Sequence, residues 1–120
     1  MKPFKEAHTF DKRSQLATKI RKNYPDRVPV IVEPVQRERR TVTLNQQKYL
    51  VPQDSTMGQF LTEVRKNAQI SSRDALYLFC DSPKGEVLVP ISKSIGDVYQ
   101  EYKDPCGFLF ITVALEQTFG

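Results

Sequence analysis

The chain has 120 residues, of which 39% are hydrophobic and 27% are charged, and its formal net charge is +4. This length and composition predict one globular domain that buries about two-thirds of the surface of its unfolded chain. No apolar stretch approaches the roughly 20 residues needed to span a bilayer, and Met1 to Glu6 lack the apolar core of a signal peptide.

The net positive charge lies at the N-terminal end of the chain. Residues 1–27 hold eight basic and three acidic side chains, a net charge of +5, whereas residues 28–120 hold ten basic and eleven acidic ones. Such a segment is either a solvated helix face or a surface for acidic peptides, anionic lipid or nucleic acid. The sequence has no zinc-ligand spacing, no glycine-aromatic RNA-binding motif and no aromatic residues interleaved with the basic run, so we expect no nucleic-acid partner.

Candidate catalytic and metal-binding residues are few. His8 is the single histidine, and Cys80 and Cys106 form neither a CxxC motif nor a metal-ligand spacing. Clustered carboxylates and a glycine-rich phosphate loop are missing as well. We therefore expect no enzyme activity, no metal and no cofactor, and we interpret Cys80 as a small buried hydrophobic residue in a reduced cytoplasmic protein.

Helices come first in chain order. Pro3 to Ala7 predict a short helix. A longer one follows with Thr9 as its N-cap, and it ends before Pro25 because the residue preceding a proline is pushed out of the helical region. The apolar residues at near-helical spacing in this second helix are Phe10, Ala17, Ile20 and Tyr24.

A strand-rich segment begins at Val28. Val28 to Glu33 is apolar on both faces, which predicts a central strand, and Lys48 to Pro52 predicts a second strand. Pro34 to Gln47 is predicted to be a polar connection, within which Thr41 to Leu44 are able to pair briefly. Caps at Asp54, Ser55 or Thr56 then start a helix whose apolar face holds Met57, Phe60, Leu61, Val64 and Ala68.

The C-terminal part again has two strands followed by a helix, and then a terminal strand. Leu76 to Cys80 predict a third strand, the turn Asp81 to Gly85 follows, and Glu86 to Val89 predict a fourth, short strand. A core-facing helix, closed near Pro105, leads to the terminal strand Phe108 to Leu115. The predicted order after residue 27 is β-β-α-β-β-α-β, in an α+β domain. The core-facing residues of this last helix are Ile95, Val98, Tyr99 and Tyr102.

Several blocks of sequence, in a fixed order and spacing, carry a family resemblance. They are Lys19 to Glu33, Lys48-Tyr49-Leu50-Val51-Pro52, Gly58-Gln59-Phe60, Val98-Tyr99-Gln100-Glu101, Gly107-Phe108-Leu109 and Thr118-Phe119-Gly120. These blocks resemble the autophagy-related protein eight family of ubiquitin-like modifiers, which includes the GABA-receptor-associated protein and microtubule-associated light chain three. The resemblance covers essentially the whole chain and implies a ubiquitin-like β-grasp fold with two additional N-terminal helices.

The resemblance implies that Gly120 is conjugated to phosphatidylethanolamine. Glycine suits this chemistry because it lacks a Cβ and adopts backbone angles that other residues avoid, so it enters narrow enzyme clefts. Activating and conjugating enzymes and a processing or deconjugating cysteine protease are the implied partners. The chain is either encoded in mature form or is a processed or truncated product.

The family also docks short peptides of the form aromatic-x-x-aliphatic with acidic flanks. An extended peptide is expected to add as a strand beside Val28 to Glu33. The resemblance places Arg27 and Lys48 near the acidic flanks. The aromatic pocket it implies consists of Ile20, Pro29, Ile31, Lys48, Leu50 and Phe108. The aliphatic pocket consists of Tyr49, Val51, Pro52, Phe60 and Val64.

The sequence departs from the family pattern around both pockets. Leu16 stands where many members carry an acidic residue at the rim of the aromatic pocket. Ser55 and Glu63 replace apolar residues around the aliphatic pocket, while Gln46 and Asn67 replace basic ones. The aromatic pocket is therefore expected to be intact, and the aliphatic pocket smaller and more polar.

Two functions remain open at this level. The first is a lipid-conjugated tag that recruits autophagy receptors, cytoplasmic when free and on autophagosome membranes when lipidated. The second is a trafficking or cytoskeletal adaptor that binds receptors or tubulin through its basic N-terminal segment. The expected division is a helical extension over residues 1–27, a β-grasp core over residues 28–116 and a conjugation tail over residues 117–120.

Overall fold

The computed structural model describes residues 3–35 and 42–115, which form four helices and seven strands. The strands are β1 (Arg27–Pro34), β2 (Thr43–Leu44), β3 (Lys48–Pro52), β4 (Ala68–Gln69), β5 (Tyr77–Ser82), β6 (Gly85–Leu88) and β7 (Leu109–Ala114). The order in the five-stranded sheet is β3-β1-β7-β5-β6, in which β1 and β7 are parallel and the other neighbours are antiparallel. The helices are α1 (Phe4–Ala7), α2 (Phe10–Asn23), α3 (Met57–Lys66) and α4 (Ile95–Tyr102).

The two N-terminal helices form as predicted. Thr9 caps α2, because its Oγ1 accepts a hydrogen bond from the Lys12 backbone N–H at 3.2 Å. The apolar spacing nevertheless misjudges which side chains of α2 are buried. Phe10 and Tyr24 are 47% and 48% exposed, whereas Ala17 is buried against the sheet. The two aromatic residues stand at the ends of the helix, beyond the surface it packs on.

The predicted strand order is wrong in one respect, since it omits two short strands. β2 pairs with β4 in a separate two-stranded sheet, with Thr43 opposite Gln69 and Leu44 opposite Ala68. The brief pairing expected at Thr43 and Leu44 is confirmed, while Thr41 lies outside the described residues. Ala68 belongs to β4 rather than to the apolar face of α3, because the helix ends at its C-cap, Asn67.

Helix α3 is fixed at its start by a capping box. The Thr56 hydroxyl accepts from the Gln59 N–H at 3.1 Å, and the Gln59 side chain accepts from the Thr56 N–H at 2.9 Å. The buried residues of the helix are Met57, Phe60 and Val64, spaced three and four apart. The prediction of a capped amphipathic helix is confirmed.

The sheet has an apolar layer on each face. Val28, Val30 and Val32 of β1 point into the main core together with α3, whereas Ile31 points into a second cluster beneath the N-terminal helices. Because both faces of β1 are covered, the strand is apolar on both faces, as expected for a central strand. Cys80 is buried in the main core as predicted, and burial raises the pKa of its thiol to about 12.

A glycine turn joins α4 to β7. Gly107 has a φ of 101°, and its N–H donates to the Asp104 carbonyl at 2.8 Å. A Cβ at this position would lie 2.9 Å from the Cβ of Ala17, so only glycine lets α2 approach here. The Tyr99 hydroxyl donates to the Gly107 carbonyl at 2.6 Å. This turn sets the position of Phe108, the next residue along the chain.

No helix in the described ranges has the length and apolarity that a membrane span requires.

Candidate functional site

A cavity of about 170 Å³ opens between α2 and the edge strand β3. Of the six residues expected to form an aromatic pocket, five line this cavity and one, Ile31, does not. The lining residues are Leu16, Ile20, Pro29, Val30, Lys48, Tyr49, Leu50 and Phe108. Sequence reasoning thus missed Val30 and the share of Tyr49 in this lining, and it placed Leu16 only at the rim.

Ile31 lies behind the cavity rather than in it. Its side chain is 1% exposed and packs with Phe4, Ala17 and Phe108. Antiparallel pairing sets Ile31 opposite Lys48, so it lies on the α2 side of the sheet, as Pro29 does. The N-terminal helices cover Ile31 and leave Pro29 beside the opening.

An aromatic cluster supports the floor of the cavity. The Phe4 ring packs edge-on against Phe108 with a centroid separation of 5.3 Å, and it lies 6.1 Å from the Phe110 ring. The Lys48 ammonium lies 5.7 Å from the Phe4 ring centroid, at a cation–π distance. α1 therefore contacts both the floor residue Phe108 and the cation at the rim of the cavity.

Polar contacts hold α1 in this place. The Phe4 N–H donates to the Glu33 carboxylate at 2.8 Å. One nitrogen of the buried Arg13 guanidinium donates to the carbonyls of Lys5 at 3.2 Å and His8 at 2.7 Å. The Lys5 ammonium also pairs with Asp104 at 3.0 Å. Glu33 and Asp104 are far from α1 in the sequence, and no local pattern points to these two contacts.

β3 is a free edge of the sheet. β1 lies between β3 and β7, so the expectation that a peptide adds beside Val28 to Glu33 is wrong. That strand is already paired on both sides, whereas within the described residues β3 has β1 as its one neighbour. An added strand has to pair with Lys48 to Pro52 instead.

The hydrogen-bond pattern shows which β3 groups face outward. Val32 donates to the Gln47 carbonyl at 2.8 Å, and Gln53 donates to the Asp26 carbonyl at 3.0 Å. In antiparallel pairing, bonded and non-bonded residue pairs alternate. Lys48 and Leu50 are therefore at non-bonded positions, and their backbone N–H groups point away from β1. Leu50 lies opposite Pro29, which has no N–H to give.

Four of the five residues expected to form an aliphatic pocket lie on the other side of the sheet, two on β3 and two on α3. Tyr49, Val51, Phe60 and Val64 all belong to the main core, and Val64 is 0% exposed. The structure thus brings these four together as packed side chains below the surface. Pro52 is exposed and does not join them.

Tyr49 lines the cavity and also belongs to the main core on the α3 side of the sheet. Its ring meets Phe60 edge-on at 5.2 Å, and its hydroxyl donates to the Gln46 carbonyl at 3.4 Å. Burial raises the pKa of the Tyr49 phenol, a hydrogen bond with Asn67 opposes the rise, and the charge of Glu63 adds to it. The polar replacements Glu63 and Asn67 therefore lie beside Tyr49 on the α3 side.

The two expected flank contacts stand at opposite ends of the edge strand. Lys48 begins β3, and Arg27 pairs with Pro52 at its other end, four residues away. At about 3.4 Å per residue these ends are about 14 Å apart. Both side chains are exposed, and the Arg27 carbonyl accepts from Arg21 at 2.6 Å. A bound strand would meet one cation near each end.

A second, larger cavity of about 380 Å³ lies at the opposite edge of the sheet, and no sequence pattern predicted it. It is formed where α3, β5, β6 and the segment after β6 meet. Its lining is Met57, Leu61, Leu76, Tyr77, Leu78, Leu88, Val89, Pro90 and Ile91.

Within the described part of the chain no three potential ligand side chains come together to hold a metal ion.

Comparisons with known proteins agree with this architecture. The family model described as "Autophagy protein Atg8 ubiquitin like" matches residues 12–120. The chain is 44% identical over 117 residues to Autophagy-related protein 8 of Coccidioides immitis, covering 98% of this chain and 96% of that protein. The same identity and share of this chain are found for Autophagy-related protein 8 of Aspergillus niger, with 95% of that protein covered.

A solved structure shows the same fold. The crystal structure of Trypanosoma brucei ATG8 matches with a TM-score of 0.85 at 36% identity, covering 100% of this chain and 99% of that one. The predicted α+β, ubiquitin-like fold with added N-terminal helices is confirmed. By sequence and by structure, the chain belongs to the Atg8 family of ubiquitin-like autophagy proteins.

Proposed function

We propose that this protein is a non-enzymatic modifier that binds aromatic-x-x-aliphatic peptides along the edge of β3 and is conjugated through Gly120 to phosphatidylethanolamine. In this proposal it is cytoplasmic when free and lies on autophagosome membranes when conjugated, where it recruits cargo receptors and adaptors. Activating and conjugating enzymes and a cysteine protease are its processing partners. The division into a helical extension, a core and a tail belongs to the same proposal, and the tail lies outside the described residues.

The observation that carries the peptide-binding part is the pairing of a free edge with a different environment on each face. In an extended peptide, residues three apart point to opposite faces. On one face of β3 the cavity beside α2 is open to an aromatic side chain. On the other face an aliphatic side chain would meet Tyr49 and Val51 beside α3. The aromatic-x-x-aliphatic spacing fits this division.

Leu50 is the residue that tests the groove. Its side chain lines the cavity and its N–H faces the open edge. Truncation of a central anchor contact weakens binding by about 2 kcal/mol or more, which is roughly 30-fold in Kd. We expect Leu50→Ala to weaken an acidic aromatic-x-x-aliphatic peptide by that factor in calorimetry.

Leu88 supplies the matched control. It is also a leucine on an edge strand, but it lines the cavity at the opposite end of the sheet. Leu88→Ala should leave the peptide affinity within about twofold. If Leu50→Ala binds like the unmodified protein, or if both variants lose affinity equally, the groove is not along β3.

Conjugation is tested separately. The protein is incubated with activating and conjugating enzymes of the family and with liposomes that contain phosphatidylethanolamine. Gly120→Ala should abolish or greatly slow formation of the lipid adduct, because a Cβ hinders entry into a narrow cleft. Equal adduct from both proteins, read by intact mass, would refute the conjugation part and leave the peptide-binding part standing.

A further inference from the structure

The cavity beside α2 has an unusual hydrogen-bonding character for a site that takes an aromatic side chain. Among the described residues that line it, only Lys48 and Tyr49 have polar side chains. An ammonium group is a donor and never an acceptor. The Tyr49 hydroxyl is engaged by Gln46 and Asn67 on the α3 side of the strand. The lining therefore offers no free side-chain acceptor.

Helix α2 contributes apolar atoms alone. Leu16 and Ile20 are four residues apart, so they share one face of the helix and border the same side of the cavity. Leu16 is 39% exposed. A polar residue would be tolerated at such a position, so the core does not demand a leucine there.

The outward backbone groups of β3 do not replace the missing acceptor. They lie in the plane of the sheet, where they meet the backbone of an added strand. The Lys48 carbonyl also accepts from the Gln46 side chain at 2.8 Å. The size of the cavity also favours a single six-membered ring, because its volume of about 170 Å³ is close to the roughly 150 Å³ of an apolar cavity that binds benzene.

We propose that this cavity selects phenylalanine over tryptophan at the aromatic position of the peptides it binds. This inference rests on the proposed function. A phenyl ring fits the space and has no polar hydrogen. An indole is larger, and its N–H loses its hydrogen bond to water without gaining an acceptor in the cavity. An unpaired polar group of this kind lets a binding site discriminate between close analogues. A cation–π contact with the Lys48 ammonium is stronger for an indole than for a phenyl ring, so the smaller size of phenylalanine and its lack of an N–H have to outweigh that contact.

The test compares two acidic peptides that differ only in phenylalanine or tryptophan at the aromatic position. Calorimetry on the full chain should give a Kd about tenfold lower for the phenylalanine peptide. Leu16→Gln supplies a neutral acceptor at the wall of the cavity, so it should lower the ratio of the two Kd values at least fivefold. The amide adds no charge, so attraction to the acidic flanks is unchanged.

Leu88→Gln is the matched control, because Leu88 is likewise 39% exposed and lines the other cavity. It should leave the ratio of the two Kd values as it is in the unmodified protein. Equal or tighter binding of the tryptophan peptide, or a ratio that Leu16→Gln leaves unchanged, would overturn the inference while the groove stands. Failure of both peptides to bind would refute the proposed groove itself.

Discussion

Replacing Phe4 by alanine is expected to cost far more stability than replacing Phe10, although both are phenylalanines of the N-terminal segment. Phe4 is 7% exposed and packs on Phe108 and Phe110, whereas Phe10 is 47% exposed. Truncation of a buried phenylalanine typically costs about 3–5 kcal/mol. α1 is a terminal helix and can detach rather than leave a void. The loss is then bounded by the free energy that holds α1 in place, so we expect about 3 kcal/mol.

The exposed ring sets the scale of the control. The Arg13 guanidinium lies 5.7 Å from the Phe10 ring centroid, and a cation–π contact at an exposed site contributes about 0.5–1 kcal/mol. Phe10→Ala should therefore lower the free energy of unfolding by no more than about 1 kcal/mol. The difference between the two variants, about 2 kcal/mol, isolates the packing of Phe4.

Urea denaturation followed by circular dichroism measures both variants. The midpoint should fall clearly for Phe4→Ala and little for Phe10→Ala, with a similar dependence on urea concentration. Equal losses in the two variants would mean that α1 is not docked on the aromatic cluster in solution. The account of how Phe108 and Lys48 are positioned would then fail.

Two further predictions concern charge. Changing the exposed Lys12, Lys19 and Lys22 to glutamine should reduce the salt dependence of the on-rate for an acidic peptide. The reason is that the electric field of the N-terminal segment is screened within about 10 Å at 0.1 M salt and about 3 Å at 1 M. An on-rate that is independent of salt in the unmodified protein would contradict this prediction. Burial alone would raise the pKa of Asp104, but hydrogen bonds from Cys106 and Lys5 outweigh burial and lower that pKa. The carboxylate therefore stabilises the fold at pH values above its ordinary pKa of 3.8, and this stabilisation is lost as the pH falls further. In denaturation experiments at a series of pH values, the stability advantage of the unmodified protein over Asp104→Asn should shrink below about pH 4. An advantage that stays constant with pH would argue against the pairing with Lys5.

The helices and long strands were predictable because their signals are local. The side chains of Thr9 and Thr56 cap helices by accepting a hydrogen bond from the backbone N–H three residues further along the chain. The apolar run Val28 to Val32 predicts a strand that is covered on both faces. Boundaries were less accurate: the strand predicted over Leu76 to Cys80 begins one residue later, at Tyr77, and includes the first two residues of the expected turn, ending at Ser82. The pairing of Thr43 and Leu44 in β2 was expected, but its partner β4 was missed because it holds only two residues and has no periodicity of its own.

Most of the residues that line the cavity were predictable, but Ile31 was wrongly included, Val30 was missed, and the geometry was not predictable. The resemblance supplied Leu50, Lys48 and Phe108, and the structure sets them around one cavity. It did not reveal that β3 is the edge at which a strand is able to add, since strand order depends on contacts between distant segments. The support of Phe108 by Phe4 was hidden for the same reason, because the Glu33 carboxylate that anchors Phe4 is 29 residues away.

The measurement that bears most directly on the proposed function is amide hydrogen exchange along β3 with and without an acidic aromatic-x-x-aliphatic peptide. The outward N–H groups of Lys48 and Leu50 should become protected, while those of Tyr49 and Val51, which face β1, should change little. The amides of β6 at the opposite edge should stay as they are. Protection that appears at β6, or a bound peptide that leaves Lys48 and Leu50 unprotected, would contradict strand addition at this edge.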